Sequence, residues 1–470
     1  MGVEALSSAV SGLFAHRRRL DVISHNVANS NTIGYSRQRV DLVSASGAGV
    51  GIHSGSSQSL GGVEVAGITR SRDSFLESRS LEASGSSAKL VASHDLLMSV
   101  EALIGEPSNH GIIAGLDAMW GAFDDLANFP DALPQREAAI QSAVTVTGRL
   151  NEIDRQLRQL HETTKESLQS DVARVNALTS QIATLNEAIS AVAKDLLPND
   201  LLDQRDLAAS SLAQLVGART RTLADGSMDV YLGNTTLVQG SRTFRIEVAE
   251  TSDATLSPLG FQRVGLEVAG LVTVTNTSGS LGGKLDGLNG TVPDSINSLN
   301  EVAQQLITDM NRLHQAGEDL DGGKGRAFLD GSDASTITVS ANIQSDARLV
   351  AAASPRLVAA ASPSSGTRDG SNAAKIANLR SSITGADAKA VSFVATLGLT
   401  TQAVGQRASA ESDAFQRVEE ARLTARSVNI EEEMVDLIEA QRSYEAAARV
   451  VSTIDQMLDT LVNRLGVVGR

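Results

Sequence analysis

The chain contains no cysteine. That excludes disulfides, thiolate nucleophiles and cysteine-ligated zinc, so stability must come from packing, hydrogen bonds and ion pairs. Rings are scarce as well: nine Phe, three Tyr and one Trp among 470 residues. A core with so few aromatics is filled by small aliphatic side chains, which favours long, closely packed helices. Basic residues (40 Lys and Arg) fall short of acidic ones (55 Asp and Glu), and the net charge of −15 repels nucleic-acid phosphates and anionic membranes alike. Neither is expected as a partner. No run reaches the length of about 18 apolar residues that a membrane span needs. The arginines at 17–19 lead into "LDVISHNVANSN" rather than the apolar stretch of a cleavable signal, and Leu6 stands where a myristoylation motif wants Ser or Thr.

Catalytic and metal-binding patterns are missing too. The seven histidines follow no metal-ligand spacing, so solvated or capping roles are expected of them. "DLDGGKGRAFLD", Asp319 to Asp330, matches a calcium loop only in its first three residues and reads as a Gly-rich turn. The glycines of "SGAGVGIHSG" do not lie between a strand and a helix, and neither a nucleophile elbow nor a Walker sequence occurs. Asp200, Asp203 and Asp206 surround Arg205 at the first turn of a helix, where carboxylates cap free N–H groups and meet the positive end of the dipole. No catalytic residue, no cofactor and no metal are expected, and the protein is not read as an enzyme.

What the sequence does have is helical periodicity. From Val3 to Val27, the residues Val3, Leu6, Val10, Leu13, Leu20 and Val27 keep a three-four rhythm broken by Arg17 and Ser24. Asn26, Asn29, Asn31 and Gly34 then end the helix, because they tolerate left-handed backbone. Helical pattern continues over Asp73–Gly105 and Arg136–Lys194, the latter without internal proline, and the stretch after Pro198 starts a further helix with Asn199 or Asp200 as cap. Between Ala218 and Val274 the period changes to two, the one clear β region. Helices return over Val292–Gln315 and 372–427. The last stretch is the most regular: Ile430, Met434, Leu437 and Tyr444 lead into Val451, Ile454, Leu458, Leu461 and Leu465 at coiled-coil spacing.

The expected fold is therefore mainly α with a small β domain: long helical rod or coiled-coil domains formed by the N- and C-terminal segments, plus a central β-rich region. Residues 1–34 form an N-terminal amphipathic helix, and 35–216 an extended linker followed by a long-helix rod. Residues 217–283 are β-rich, 284–427 are the helical return with a short insertion near 328–372, and 428–470 are a C-terminal helix that pairs with the N-terminal one.

One stretch is more specific than periodicity. "ALSSAVSGLFAHRRRLDVISHNVANSNTIGYSRQRV", Ala5 to Val40, closely resembles the N-terminal signature of bacterial flagellar axial proteins, with Asn-x-Ala-Asn-x-x-Thr-x-Gly met at Asn26, Ala28, Asn29, Thr32 and Gly34. "GYSRQ", from Gly34 through Tyr35 to Gln38, is the form typical of the hook-associated members that join hook to filament. "LLDQRD", "GSLGGKLDGL", "NRLHQAGEDLDG" and "DGSNAAKIANL" agree in order and spacing, and "SVNIEEEMVDLIEAQRSYEAAARVVSTIDQMLDTLVNRLG" looks like the family's C-terminal helix. Position 33 departs from the pattern, being Ile where the family often has Pro, and the segment between Phe328 and Ala373 is short.

The resemblance implies a structural protein exported through the flagellar type III apparatus without a cleaved signal. It would sit outside the cell at the hook-filament junction, in a ring of its own copies. Hook protein would lie below and the next hook-associated protein or filament above, with an export chaperone on the C-terminal helix. The assembly surface would be the two terminal seams and the segment at Asn26, Asn29, Asn31, Gly34 and Tyr35, and that segment would serve as a hinge.

Overall fold

The computed structural model describes residues 2–45, 62–192, 198–268, 270, 272–274, 277–354 and 368–464, with the backbone alone at 2–5 and 461–464. The fold is mainly α, 67% helical, with small sheets. In chain order it runs α1 (Gly2–Ala28), β1 (Gln38–Ser44), β2 (Val63–Arg70), α2 (Ser74–Ile104), α3 (Ile112–Asn128), α4 (Leu133–Ala191) and α5 (Asn199–Val216). Then come β3 (Arg219–Thr222), β4 (Met228–Leu232), β5 (Thr235–Gln239), β6 (Arg242–Thr243), β7 (Ile246–Thr251), β8 (Arg263–Val268), β9 (Val272–Thr273), α6 (Gly279–Asp286) and α7 (Val292–Ala316). The chain closes with β10 (Leu329–Asp330), β11 (Thr338–Val339), α8 (Ala341–Ser345), α9 (Ser371–Ala377), α10 (Ala386–Arg426) and α11 (Ile430–Arg464).

Contacts divide the chain into a terminal unit, Met1–Gly85 with Arg174–Arg245 and Ser412–Arg470, and a central unit, Ser86–Ala173 with Ile246–Glu411. The alternating β pattern yields two antiparallel sheets, one in each unit: β3-β4-β5-β6 in the terminal unit and β7-β8-β9 in the central one.

In the terminal unit, β1 and β2 form an antiparallel pair from Gln38 opposite Arg70 to Ser44 opposite Val63. The four-stranded sheet is fastened to α4 by Asn186, whose Nδ2 donates to the carbonyls of Met228 and Gly240, both at 2.7 Å, while its Oδ1 accepts from the Met228 amide at 2.9 Å. Buried Arg205 spans the same place, donating to Asn186 Oδ1 at 3.2 Å and to the Gly226 carbonyl at 2.6 Å. Gly85 on α2 faces the end of α5 so closely that a Cβ there would stand 2.9 Å from the Gly217 Cα, which is why no side chain fits. The expected cap of α5 is corrected: the N-cap is Pro198 without a side-chain bond, and Asn199 Nδ2 donates instead to Gln38 Oε1 and the Ile68 carbonyl.

The central unit holds the main core. Helix α3, absent from the sequence expectation, supplies Ile112, Leu116, Trp120 and Phe123; α4 adds Leu150, Ile153 and Leu157, and α7 adds Ile296, Leu299 and Leu306. The Phe123 and Phe328 rings meet edge to face at 5.5 Å, and Trp120 Nε1 donates to Asp387 Oδ2 at 2.8 Å. Arg136 is buried with its guanidinium on main-chain carbonyls, Pro130 at 2.8 Å and Val350 at 2.5 Å, and burial lowers its pKa to about 10. The loop at Asp319 is a Gly-rich turn closed by its own residues: Asp319 Oδ1 accepts from the amides of Asp321 and Gly323, and Arg326 pairs with its other oxygen.

Two histidines correct the solvated reading. His314 is 1% exposed, and its Nε2 accepts from the Ala351 amide at 2.9 Å, so the proton sits on Nδ1, which donates to the Arg326 carbonyl at 2.8 Å. His161 is buried against the Phe261 ring, centroids 4.1 Å apart. Burial holds both imidazoles below the ordinary value of 6.5. The unfolded chain therefore binds more protons than the folded one beneath that value, so stability is complete above about pH 6.5 and declines as pH falls through the window below it. Between about pH 7 and pH 5.5, Tm of the natural chain is expected to fall more steeply than that of His314→Gln, which lacks one of the two groups. Equal slopes would contradict this account of His314.

Candidate assembly site at the paired termini

Helices α1 and α11 pack together antiparallel within the terminal unit. The direction follows from the polar contacts: Asn26 reaches Glu433, whereas Arg19, two turns earlier on α1, reaches Asp436 at 2.9 Å and Glu439 at 3.4 Å. On α1 the fully buried residues are Ala15, Val22, Ile23 and Asn26; on α11 they are Glu433 and Ala440. The periodic residues Leu6, Val10, Leu13, Leu20 and Val27 are half-buried, as are Leu437, Tyr444, Val451, Ile454 and Leu458. Ile430 and Met434 are exposed, and Val3, Leu461 and Leu465 lie outside the residues whose side chains are described. Sequence periodicity overlooked Ala15 and Ala440, which weigh little as apolar residues yet let two helices approach closely, and Glu433, which no apolar count can find.

The end of α1 is tied down by its own side chains. Asn26 Nδ2 donates to the Gln38 carbonyl at 2.9 Å and to Glu433 Oε2 at 3.0 Å, and its Oδ1 accepts from the Gln38 amide at 2.9 Å and the Tyr35 hydroxyl at 2.8 Å. Because that hydroxyl donates to Asn26, it accepts from His25 Nδ1 at 3.0 Å. Burial, reinforced by the carboxylates of Asp200, Asp203 and Glu433, raises the Tyr35 pKa and keeps the hydroxyl a donor. Asn29 Nδ2 donates back to the His25 carbonyl at 3.0 Å, and Asn31 is exposed. Gly34 takes φ +87°, a left-handed conformation that turns the chain beside Leu207 and would strain any other residue. Arg37 then binds the start of α11 through Glu433 Oε1 at 2.6 Å, Glu432 at 3.1 Å and Asp436 at 3.2 Å, while its amide donates to the Arg426 carbonyl at 2.8 Å.

The acids of α5 are corrected from helix caps to anchors. Asp203 accepts from the Ser36 amide at 2.9 Å, the Ser36 hydroxyl at 2.8 Å and Arg70 Nη1 at 2.6 Å; Asp206 accepts from the same Arg70 nitrogen at 2.8 Å and also pairs with Arg72. Two largely buried guanidiniums need matching carboxylates more than the helix end needs caps. The chain of charges continues from Arg72 to Glu77, to Arg422 at 3.0 Å and on to Glu419 at 2.5 Å. Among the described residues, no group of three or more His, Asp or Glu is placed to hold a metal, and no helix is long and apolar enough to cross a membrane.

Comparison with known proteins fits this architecture. Residues 6–35 match the flagella basal body rod protein family, 422–465 the C-terminal family of the flagellar basal body rod FlgEFG proteins, and 97–329 the helical domain of the flagellar hook-associated protein FlgK. The chain is similar to flagellar hook-associated protein 1 of Bacillus subtilis, 26% identical over 516 residues that cover 100% of this chain and 99% of the relative. Its likeness to the protein of that name from Salmonella typhimurium is 29% over 335 residues, 69% of this chain and 59% of the relative. A solved structure, the flagellar hook junction protein FlgK from Burkholderia pseudomallei, shares the fold with a TM-score of 0.65 at 17% identity, covering 75% of this chain and 100% of that one. Joined termini of the rod-protein type around a helical body define a structural protein of the bacterial flagellum. Within that class, the matched helical domain and the relatives of full or partial length make the chain similar to flagellar hook-associated protein 1.

Removing the anchor beneath the connector tests its role. Asp203→Ala leaves Ser36 and Arg70 without their main acceptor and should cost about 2 kcal/mol locally. Hydrogen exchange is expected to speed up at the amides of residues 36–43 and 63–70 while the central unit keeps its protection. Unchanged exchange in the connector would show that Asp203 does not hold it.

Proposed function

We propose that this chain is the junction subunit that polymerises at the distal end of the hook and connects hook to filament. Its copies form a ring, with hook protein below and the next hook-associated protein or the filament above. The observation that carries this reading is the shape of α11, which is apolar on two sides. One side meets α1. The other presents Val435 at 67% exposure and Met457 at 60%, together with Ile438 and Val450, and Val435, Ile438 and Ala446 line a shallow groove of about 480 Å³ with Glu439, Arg442 and Ser443. An apolar face of this kind is unfavourable in water and fits a second copy of the chain. Charge supports the same occupant: Arg17 and Arg18 are exposed on α1, while α11 opens on Glu431 and Glu432, so one copy can meet its neighbour with opposite signs.

The mechanism couples folding to growth. A helix pair this thin buries little surface alone, so the termini remain disordered in the free subunit and order when a neighbour covers the outer face of α11. Polymerisation is then confined to the tip, where such a neighbour is present. The segment from Asn26 to Tyr35 is the hinge through which α1 meets the rest of the subunit. Export runs through the flagellar type III apparatus, with a chaperone holding residues 430–470 until assembly.

In the source bacterium, deletion of the gene should give bare hooks and flagellin lost to the medium. The full chain should restore filaments, and residues 41–429 should not; normal filaments in the deletion strain would overturn the proposal. Leu458→Asp places a charge on the half-buried side of α11 and is expected to abolish filaments while the central unit stays folded by circular dichroism. Filaments in that strain would contradict the role given to the seam.

A further inference from the structure

The two apolar sides of α11 pose a question of choice. At about 100° per residue, Glu433, Leu437, Ala440, Tyr444, Val451 and Leu458 lie on one side of the helix, and Val435, Ile438, Ala446, Val450 and Met457 lie opposite. The second set is also apolar, although Glu431, Arg442 and Arg449 lie among it, so hydrophobic burial favours the first side without fixing how α11 is turned on α1. From the contacts around it, we infer that Glu433 makes that decision: it is the residue that orients α11 on α1 and so leaves the opposite side for the next copy. This rests on the proposed pairing of the termini in the assembled protein.

Three observations support the assignment. Among the described residues of α11, Glu433 is the buried charged one, with its side chain 1% exposed. Both carboxylate oxygens are used, one by Asn26 Nδ2 at 3.0 Å and the other by Arg37 Nε at 2.6 Å. Those donors do not belong to a freely turning helix. Asn26 is held by both main-chain groups of Gln38, and Arg37 is fixed through its amide on the Arg426 carbonyl. If α11 turned by half a revolution, Val435 would replace Glu433, buried Asn26 would lose one of its two acceptors and Arg37 its closest carboxylate. A single buried polar contact of this sort specifies the orientation of paired helices better than it stabilises them.

The absence of cysteine makes the test clean. In intact hooks carrying the full chain, Arg19→Cys is combined either with Asp436→Cys, on the α1-facing side, or with Ile438→Cys, on the outer side. A short bismaleimide is added, and intrachain cross-linked peptides are measured by mass spectrometry. With Glu433 present, the 19–436 product should exceed the 19–438 product by about tenfold or more, the ratio expected from one lost buried hydrogen bond to a charged group. In Glu433→Leu the two should become comparable. In Glu433→Gln, whose amide oxygen still accepts, the preference for 436 should return.

A Glu433→Leu chain that still joins only 19 to 436 overturns the inference. So does one that loses both products, since the glutamate would then supply stability rather than orientation. Absence of the 19–436 product with Glu433 in place removes the pairing itself, a separate failure that falls on the proposed function.

Discussion

The hydrogen bond between Asn26 and Glu433 joins residues 407 positions apart in the chain and is buried where the two terminal helices meet. Everything around it follows from the need to satisfy polar groups that water cannot reach. Asn26 needs two acceptors and two donors, and Gln38, Tyr35 and Glu433 provide them. The Glu433 charge needs a counter-charge, and Arg37 provides it. Arg37 lies beside Ser36, which is held by Asp203, which also holds Arg70. The ends of the protein are therefore fixed by a polar joint more than by an apolar core. Such joints define geometry sharply and add little net stability.

The two units contrast in how they are built. The central unit is filled by Trp120, Phe123, Phe328 and a dense set of aliphatic residues, with Arg136 and His314 satisfied by main-chain groups inside it. The terminal unit buries aliphatic residues such as Ile182, Leu212, Val216, Val230 and Leu237, and adds Asn186, Arg205 and the acid-arginine network as polar fastenings.

Long helices were legible in the sequence because their apolar rhythm is uninterrupted. Val3–Val27, Asp73–Gly105 and Val292–Gln315 lie within a residue or two of α1, α2 and α7. Helix α3 has no counterpart in the sequence expectation although Ile112, Leu116, Trp120 and Phe123 keep helical spacing, because the stretch is short and bounded by Gly and Pro. The terminal signature drew attention to Asn26, Gly34 and Tyr35, but not to what they touch. Asp203 and Asp206 sit where caps belong, and only the folded chain brings Arg70 and Arg72 to them from more than 130 positions away. Glu433 was hidden for the same reason, since the last of three consecutive glutamates reads as solvated surface until its partners are known.

The position of the protein in the flagellum is tested most directly by immunogold electron microscopy, using antibodies raised against the central unit on intact flagella. A junction subunit predicts one narrow band of gold where the hook ends and the filament begins. Gold spread along the filament or the whole hook, or none on the axial structure, would contradict the account.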